Sequence, residues 1–374
     1  MIRAALGAIA GGTAVAMASS AVVFARKATA NGGPRTDKLQ IISWSGTSVE
    51  LAATPGTQAP GVYSLYTGQG SGHARIGRIL TSSAASVVRE VEEVYRPAPH
   101  GVSRGYWSGY AYETPADAGL GFVDVEIRGP RGSVPAWMIP GDDSAVWTVH
   151  VHGLGGRRAA CIRSAPVFHT LGHTQLVVSY SGDRDAPSLE DGRHHFGLDE
   201  WTDVEAALAF AVENGAESVV LSAWSMGATI ALQLLEHSVY RDRIAGVVLI
   251  APVLDWRATL AHHGRAAGMP AFVARMGCAL IGSRLSRLAG ISTPLDLAAT
   301  SWLATRVELP PVLILHSPSD PMAPFPLSQR LAARSGVELC PMDSPGHTLE
   351  WSSHLEACER AVTGWAKRLP VKQD

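Results

Sequence analysis

Five short, nearly continuous apolar runs, at residues 146–151, 175–180, 218–223, 245–250 and 312–316, constrain this chain more than any other feature. A shorter run follows at 337–340, and helical patterns lie between them near 157–171, 200–214, 226–238, 326–335 and 351–368. A strand that shows no polar face must be buried on both sides, and strands separated by helices are joined by crossovers. The expected fold class is therefore α/β, with a mostly parallel central sheet covered by helices on both faces. Two further runs, 123–127 and 134–139, are joined through Gly-Pro-Arg-Gly and predict an antiparallel pair that makes the sheet mixed.

The chain has 374 residues, 46% hydrophobic and 17% charged, which excludes a disordered scaffold. An α/β unit of roughly 250 residues leaves a surplus. The expected division is an N-terminal segment at 1–30, an extension at 31–115 and an α/β domain at 116–374. In the extension, the spacing of Ile76, Ile79, Leu80, Val87, Val91 and Val94 predicts an amphipathic helix over 76–95. Helical material at about 255–308 interrupts the strand rhythm and is expected to form a cap over the strand C-termini.

Residues 4–24 carry no charge and are flanked by Arg3, Arg26 and Lys27. Three readings stand: an uncleaved transmembrane anchor, a secretory signal with a small-residue site at Ala16-Met17-Ala18, or a peripheral Ala-rich helix. For an anchor, Arg26, Lys27, Arg35 and Lys38 outnumber the basic residues before the run, which puts the bulk of the chain on the cytoplasmic side. A signal would instead place it in the envelope or outside the cell.

The net charge of -2 gives no general attraction to nucleic acid. Cys161, Cys278, Cys340 and Cys358 form no Cys-x-x-Cys pair, so neither a structural metal nor a disulfide scaffold is expected; no cofactor is expected either, and Cys161 is read as core. His194-His195 and His262-His263 are read as surface pairs, and Asp183, Asp185, Asp199 and Asp203 as solvated loop carboxylates.

Chemistry concentrates at strand ends. Ala223-Trp224-Ser225-Met226-Gly227 places a serine between a strand and a helix, where small neighbours suit a tight turn. A serine hydroxyl needs a base, and the base needs an acid to orient it. His347, in Ser-Pro-Gly-His-Thr, and Asp320, in His-Ser-Pro-Ser-Asp, follow later strands in the order Ser, Asp, His. Asp343 is a nearer rival acid, read as a loop residue. The stretch His152-Gly153-Leu154-Gly155-Gly156 ends the first parallel strand, and the backbone N–H groups of Leu154 and Met226 are the expected oxyanion donors.

With these motifs the chain resembles the α/β-hydrolase superfamily over about residues 120–370. Tyr180-Ser181-Gly182-Asp183-Arg184, Asp191-Gly192-Arg193, Gly197 and Glu200-Trp201 with Asp203 look like those of bacterial membrane-associated or secreted esterase-type members. The resemblance implies a serine hydrolase of carboxylesterase or lipase type, acting on a small-molecule or lipid ester with Ser225, His347 and Asp320 as triad. Ala223 replaces the usual first Gly of the elbow, and Ser317 the Gly often found after the strand-end His. Alternatives are a thioesterase or acyltransferase on lipid-like acyl groups, or a non-catalytic, membrane-tethered binding protein on the same fold.

Overall fold

The computed structural model describes residues 17–32 and 36–369. Strands β1 (Leu39–Ser45), β2 (Ser48–Ala52), β3 (Tyr63–Thr67), β4 (Gly72–Ser82), β5 (Ser86–Arg96) and β6 (Arg104–Ser108) close an antiparallel barrel in the order β1-β2-β5-β4-β3-β6. The helix expected over 76–95 is therefore replaced by the β4–β5 hairpin. Ile76 pairs with Val91 and Ser82 with Val87. The turn between them is built by Ser83, whose Oγ accepts the N–H groups of Ala85 and Ser86. Spacings of three and four residues fit a helix, but Val87, Arg89 and Val91 also alternate with period two, and β-branched residues suit a pleated strand.

Arg89 is the element of the barrel that the apolar pattern concealed. It is fully buried, and its guanidinium donates to the carbonyls of Thr57, Ala59, Gly61 and Gly77. Its centre lies 5.3 Å from the Tyr63 ring and 5.4 Å from the Trp107 ring. Burial pulls its pKa down to about 10.

The second sheet has eight strands: β7 (Val123–Gly129), β8 (Gly132–Ile139), β9 (Asp143–Val151), β10 (His173–Val178), β11 (Ser218–Trp224), β12 (Ile244–Ile250), β13 (Val312–His316) and β14 (Val337–Pro341). Their order is β14-β13-β12-β11-β9-β10-β8-β7. β9 through β14 run parallel, while β7 and β8 are antiparallel and form one edge. Helices Trp201–Glu213 and Gly227–His237 contribute to the core on one face, and Ala165–Thr170 and Leu355–Ala366 to the core on the other. The insertion holds helices Trp256–Ala266 and Ala271–Ile281 and short 3-10 turns. Trp256 and Trp302 root it, their indole N–H groups donating to Phe196 O and Ala228 O.

At the N-terminus the described part of a helix covers 17–28. Ala21, Phe24 and Ala25 are buried, with Phe24 against Gly277 of the insertion. Arg26 Nε donates to Leu288 O (2.9 Å), Thr29 Oγ1 to Ala289 O (2.8 Å) and Asn31 to Gly192 O (2.9 Å). The end of the expected membrane span thus rests on protein, because Ala21, Phe24, Ala25 and Ala28 form a three-four stripe narrow enough for close packing. Among the described residues no helix is long and apolar enough to cross a membrane. Residues 4–16 of that span lie outside the described residues.

Candidate active site

β11 delivers Ser225 at a turn where its φ is +52°, left-handed for a residue with a side chain. The turn is held by Ser225 N–H donating to Ile250 O (3.0 Å) and Val253 N–H donating to Ser225 O (3.1 Å). Gly227 follows because a Cβ there would lie 2.5 Å from Val151 O. Gly153 is constrained in the same way: a Cβ would lie 2.7 Å from Ser225 Cβ. Together these contacts force the ends of β9 and β11 side by side, so the loop after β9 lies against the serine.

His347 Nε2 is 2.7 Å from Ser225 Oγ, and His347 Nδ1 is 2.7 Å from Asp320 Oδ2. Three residues far apart in sequence thus form one continuous hydrogen-bond relay. The Asp320 side chain is fully buried; Oδ1 accepts the N–H groups of Met322 (2.7 Å) and Ala323 (2.9 Å). Burial raises its pKa, but hydrogen bonds from His316 and His347 outweigh it and hold the carboxyl well below the usual range. Asp343, the rival acid, is exposed.

Motif reading missed three supporting groups. His316 Nε2 sits 3.3 Å from Asp320 Oδ2, and its Nδ1 lies 2.7 Å from Ser328 Oγ. Ser317, where a glycine was expected, accepts the N–H groups of Ser319 (3.2 Å) and Ser344 (3.1 Å), which ties the loop of Asp320 to the loop of His347. Glu350 is buried, with Oε1 accepting Ser317 N–H (3.2 Å); burial pushes its pKa up to about 7.

The expected oxyanion donors, Leu154 and Met226, flank Ser225 on the loop after β9 and on the elbow. Among the described residues neither backbone N–H is engaged by a protein acceptor. The loop after β9 stands on His152, whose Nδ1 faces Gly153 O (2.9 Å) and whose Nε2 faces Asp183 Oδ2 (2.7 Å). Both ring nitrogens face acceptors, an arrangement that favours the protonated ring. Burial opposes that charge, but the Asp183 carboxylate outweighs it and raises the pKa. Tyr180 stacks on this ring at 4.2 Å and donates its hydroxyl to His152 O (2.9 Å).

Several residues expected at the surface are buried or half-buried. Asp183 is paired as above, and Asp203 is buried and accepts Ser181 N–H (2.8 Å). His194 and His195 are both buried. His195 lies between Asp191 (2.9 Å) and Asp199; burial opposes its charge, but the two carboxylates lift its pKa to about 9. His262 and His263 are half-buried, bonded to the carbonyls of Pro321 and Met322 beside Asp320. At His195 the 181–199 loop folds against the insertion, where Asp191 also accepts Ser292 N–H (2.9 Å), and polar groups enclosed in this way must pair. Cys161 is buried in the core. Among the described residues no group of three or more side chains could hold a metal ion.

The barrel touches the segment that follows His347. Tyr63 Oη meets Ser353 Oγ at 2.7 Å, and Val62 N–H donates to Ser352 O (3.2 Å), just past His347. Buried Arg163 donates to Gly109 O (3.3 Å) and Ser352 Oγ (3.2 Å), and its guanidinium centre lies 4.1 Å from the Trp224 ring, next to Ser225.

The strand order, the elbow and the relay at the strand C-termini define the domain from β7 onward as an α/β-hydrolase fold. Solved structures agree on that fold. The Pyrococcus furiosus esterase Pf2001 in one crystal form is similar at 18% identity and a TM-score of 0.51, over 69% of this chain and 96% of that one. In a second form the values are 18% and 0.52, over 69% and 94%. A family model described as a domain of unknown function (DUF8805) matches residues 40–108, the span of the barrel. No curated protein matches the chain.

Proposed function

We propose that this chain is a serine hydrolase that cleaves carboxylic esters through an acyl-enzyme. The observation that carries the reading is the relay of 2.7 Å contacts from Ser225 through His347 to Asp320. His347 Nε2 takes the hydroxyl proton as Ser225 Oγ attacks the acyl carbon, and then gives it to the departing alcohol. A water deprotonated by the same nitrogen attacks the acyl-enzyme, which releases the acid and restores the Ser225 hydroxyl. Asp320, ionised well below neutral pH, keeps the proton of His347 on Nδ1 and stabilises the imidazolium. The N–H groups of Leu154 and Met226 are the donors for the oxyanion, each worth about 3 kcal/mol in the transition state.

Ser225→Ala should lower turnover of a short-chain nitrophenyl ester by at least about a thousandfold, abolish labelling by a fluorophosphonate, and leave the circular dichroism spectrum unchanged. Wild-type turnover in that variant would overturn the assignment.

A further inference from the structure

Four large apolar side chains stand in solvent on elements that touch one another at the N-terminus and the insertion. Val23 is 54% exposed, Met276 42%, Leu285 61% and Leu288 47%. Phe24 against Gly277 and Arg26 against Leu288 O join the two elements. The exposed charged residues they carry include Arg26, Lys27, Arg275, Arg284 and Arg287. Residues 1–36 and 256–295 contain no Asp or Glu at all, although acidic residues outnumber Lys and Arg in the chain as a whole. Asp255 and Asp296 stand just outside these stretches, Asp296 within 3.6 Å of Arg257, so the exposed apolar side chains share their elements with an excess of cations, which is complementary to an anionic lipid surface.

The chain entering this face supplies a second argument. Residues 4–16 bear no charge and lead directly into the helix at 17–28. Ala21, Phe24 and Ala25 on the inner side of that helix are buried, with Phe24 against Gly277, while Val23 is left on the outer side.

We propose that the outer face formed by helix 17–28 and the insertion docks on an anionic lipid bilayer. Leu285, Leu288, Met276 and Val23 enter the acyl boundary, and the arginines pair with headgroup phosphates. This does not depend on the hydrolase reading, since binding is measured without turnover.

The test is cosedimentation of the full chain with vesicles of equal parts phosphatidylglycerol and phosphatidylcholine, and with vesicles of phosphatidylcholine alone. Binding should be at least about tenfold stronger to the anionic vesicles. The triple change Met276→Ser, Leu285→Ser, Leu288→Ser should weaken it at least about tenfold. The double change Arg284→Gln, Arg287→Gln should weaken binding to the anionic vesicles by on the order of 25-fold, with most of that difference lost in high salt. Circular dichroism and the urea unfolding midpoint serve as controls that each variant is folded. If both variants bind like wild type, the attachment belongs to residues 4–16 alone and the proposal fails. A stable dimer that buries this face and ignores vesicles overturns it as well.

Discussion

Glu350 is the residue whose charge state reports most directly on the catalytic loops. Its carboxyl is buried and accepts Ser317 N–H, and burial pushes its pKa up to about 7, against an ordinary 4.5. A carboxyl whose folded pKa is raised favours folding in its neutral form; that contribution is complete below pH 4.5 and is lost as the pH rises through 7. The difference corresponds to about 3 kcal/mol between acid and alkaline limits. Glu350→Gln keeps an acceptor for Ser317 and removes the titration, so the variant should be more stable than wild type at pH 8 and similar at pH 5. Urea unfolding at the two values measures this, and equal stability of both proteins at pH 8 would contradict it. Ser225, His347 and Asp320 could be singled out from sequence because each follows an apolar run in a recognisable turn. His316, Ser317, Glu350 and the His152–Asp183 pair could not, since a lone polar residue has no periodicity and its role depends on which loop folds over it.

Among the elements, the barrel is where reading by pattern and folding by packing diverged most. In β4 and β5 the apolar residues fit two periods at once, and a helix would satisfy its own backbone without help. The hairpin wins because four further strands complete the hydrogen-bond ladder and enclose Arg89. Arg89→Met should therefore destabilise the protein by about 3 to 5 kcal/mol, because four carbonyls lose their donor at once. A chemical denaturation midpoint within error of wild type would show that water replaces the guanidinium at no cost. The turn signal was present in Ser82-Ser83 before a Val-rich run, but serines alone mark turns weakly.

At the scale of the whole molecule, the barrel and the hydrolase domain share buried polar contacts. Arg163 links Gly109 to Ser352 and Trp224, and Tyr63 links to Ser353. Unfolding either part would strand these groups, so calorimetry should record one cooperative transition for both. Two separated transitions would show that the contacts are energetically minor. The alternation of apolar strands and helices determined the sheet, and the order of Ser, Asp and His determined which loops carry the candidate chemistry, because both are local patterns read along the chain. The tertiary structure decided the barrel, the packing of the N-terminal helix on the insertion and the pairing of buried histidines and carboxylates. Each depends on surfaces brought together from distant segments, and burial there sets whether an Ala-rich helix enters lipid or packs on protein, and whether a polar side chain is solvated or paired.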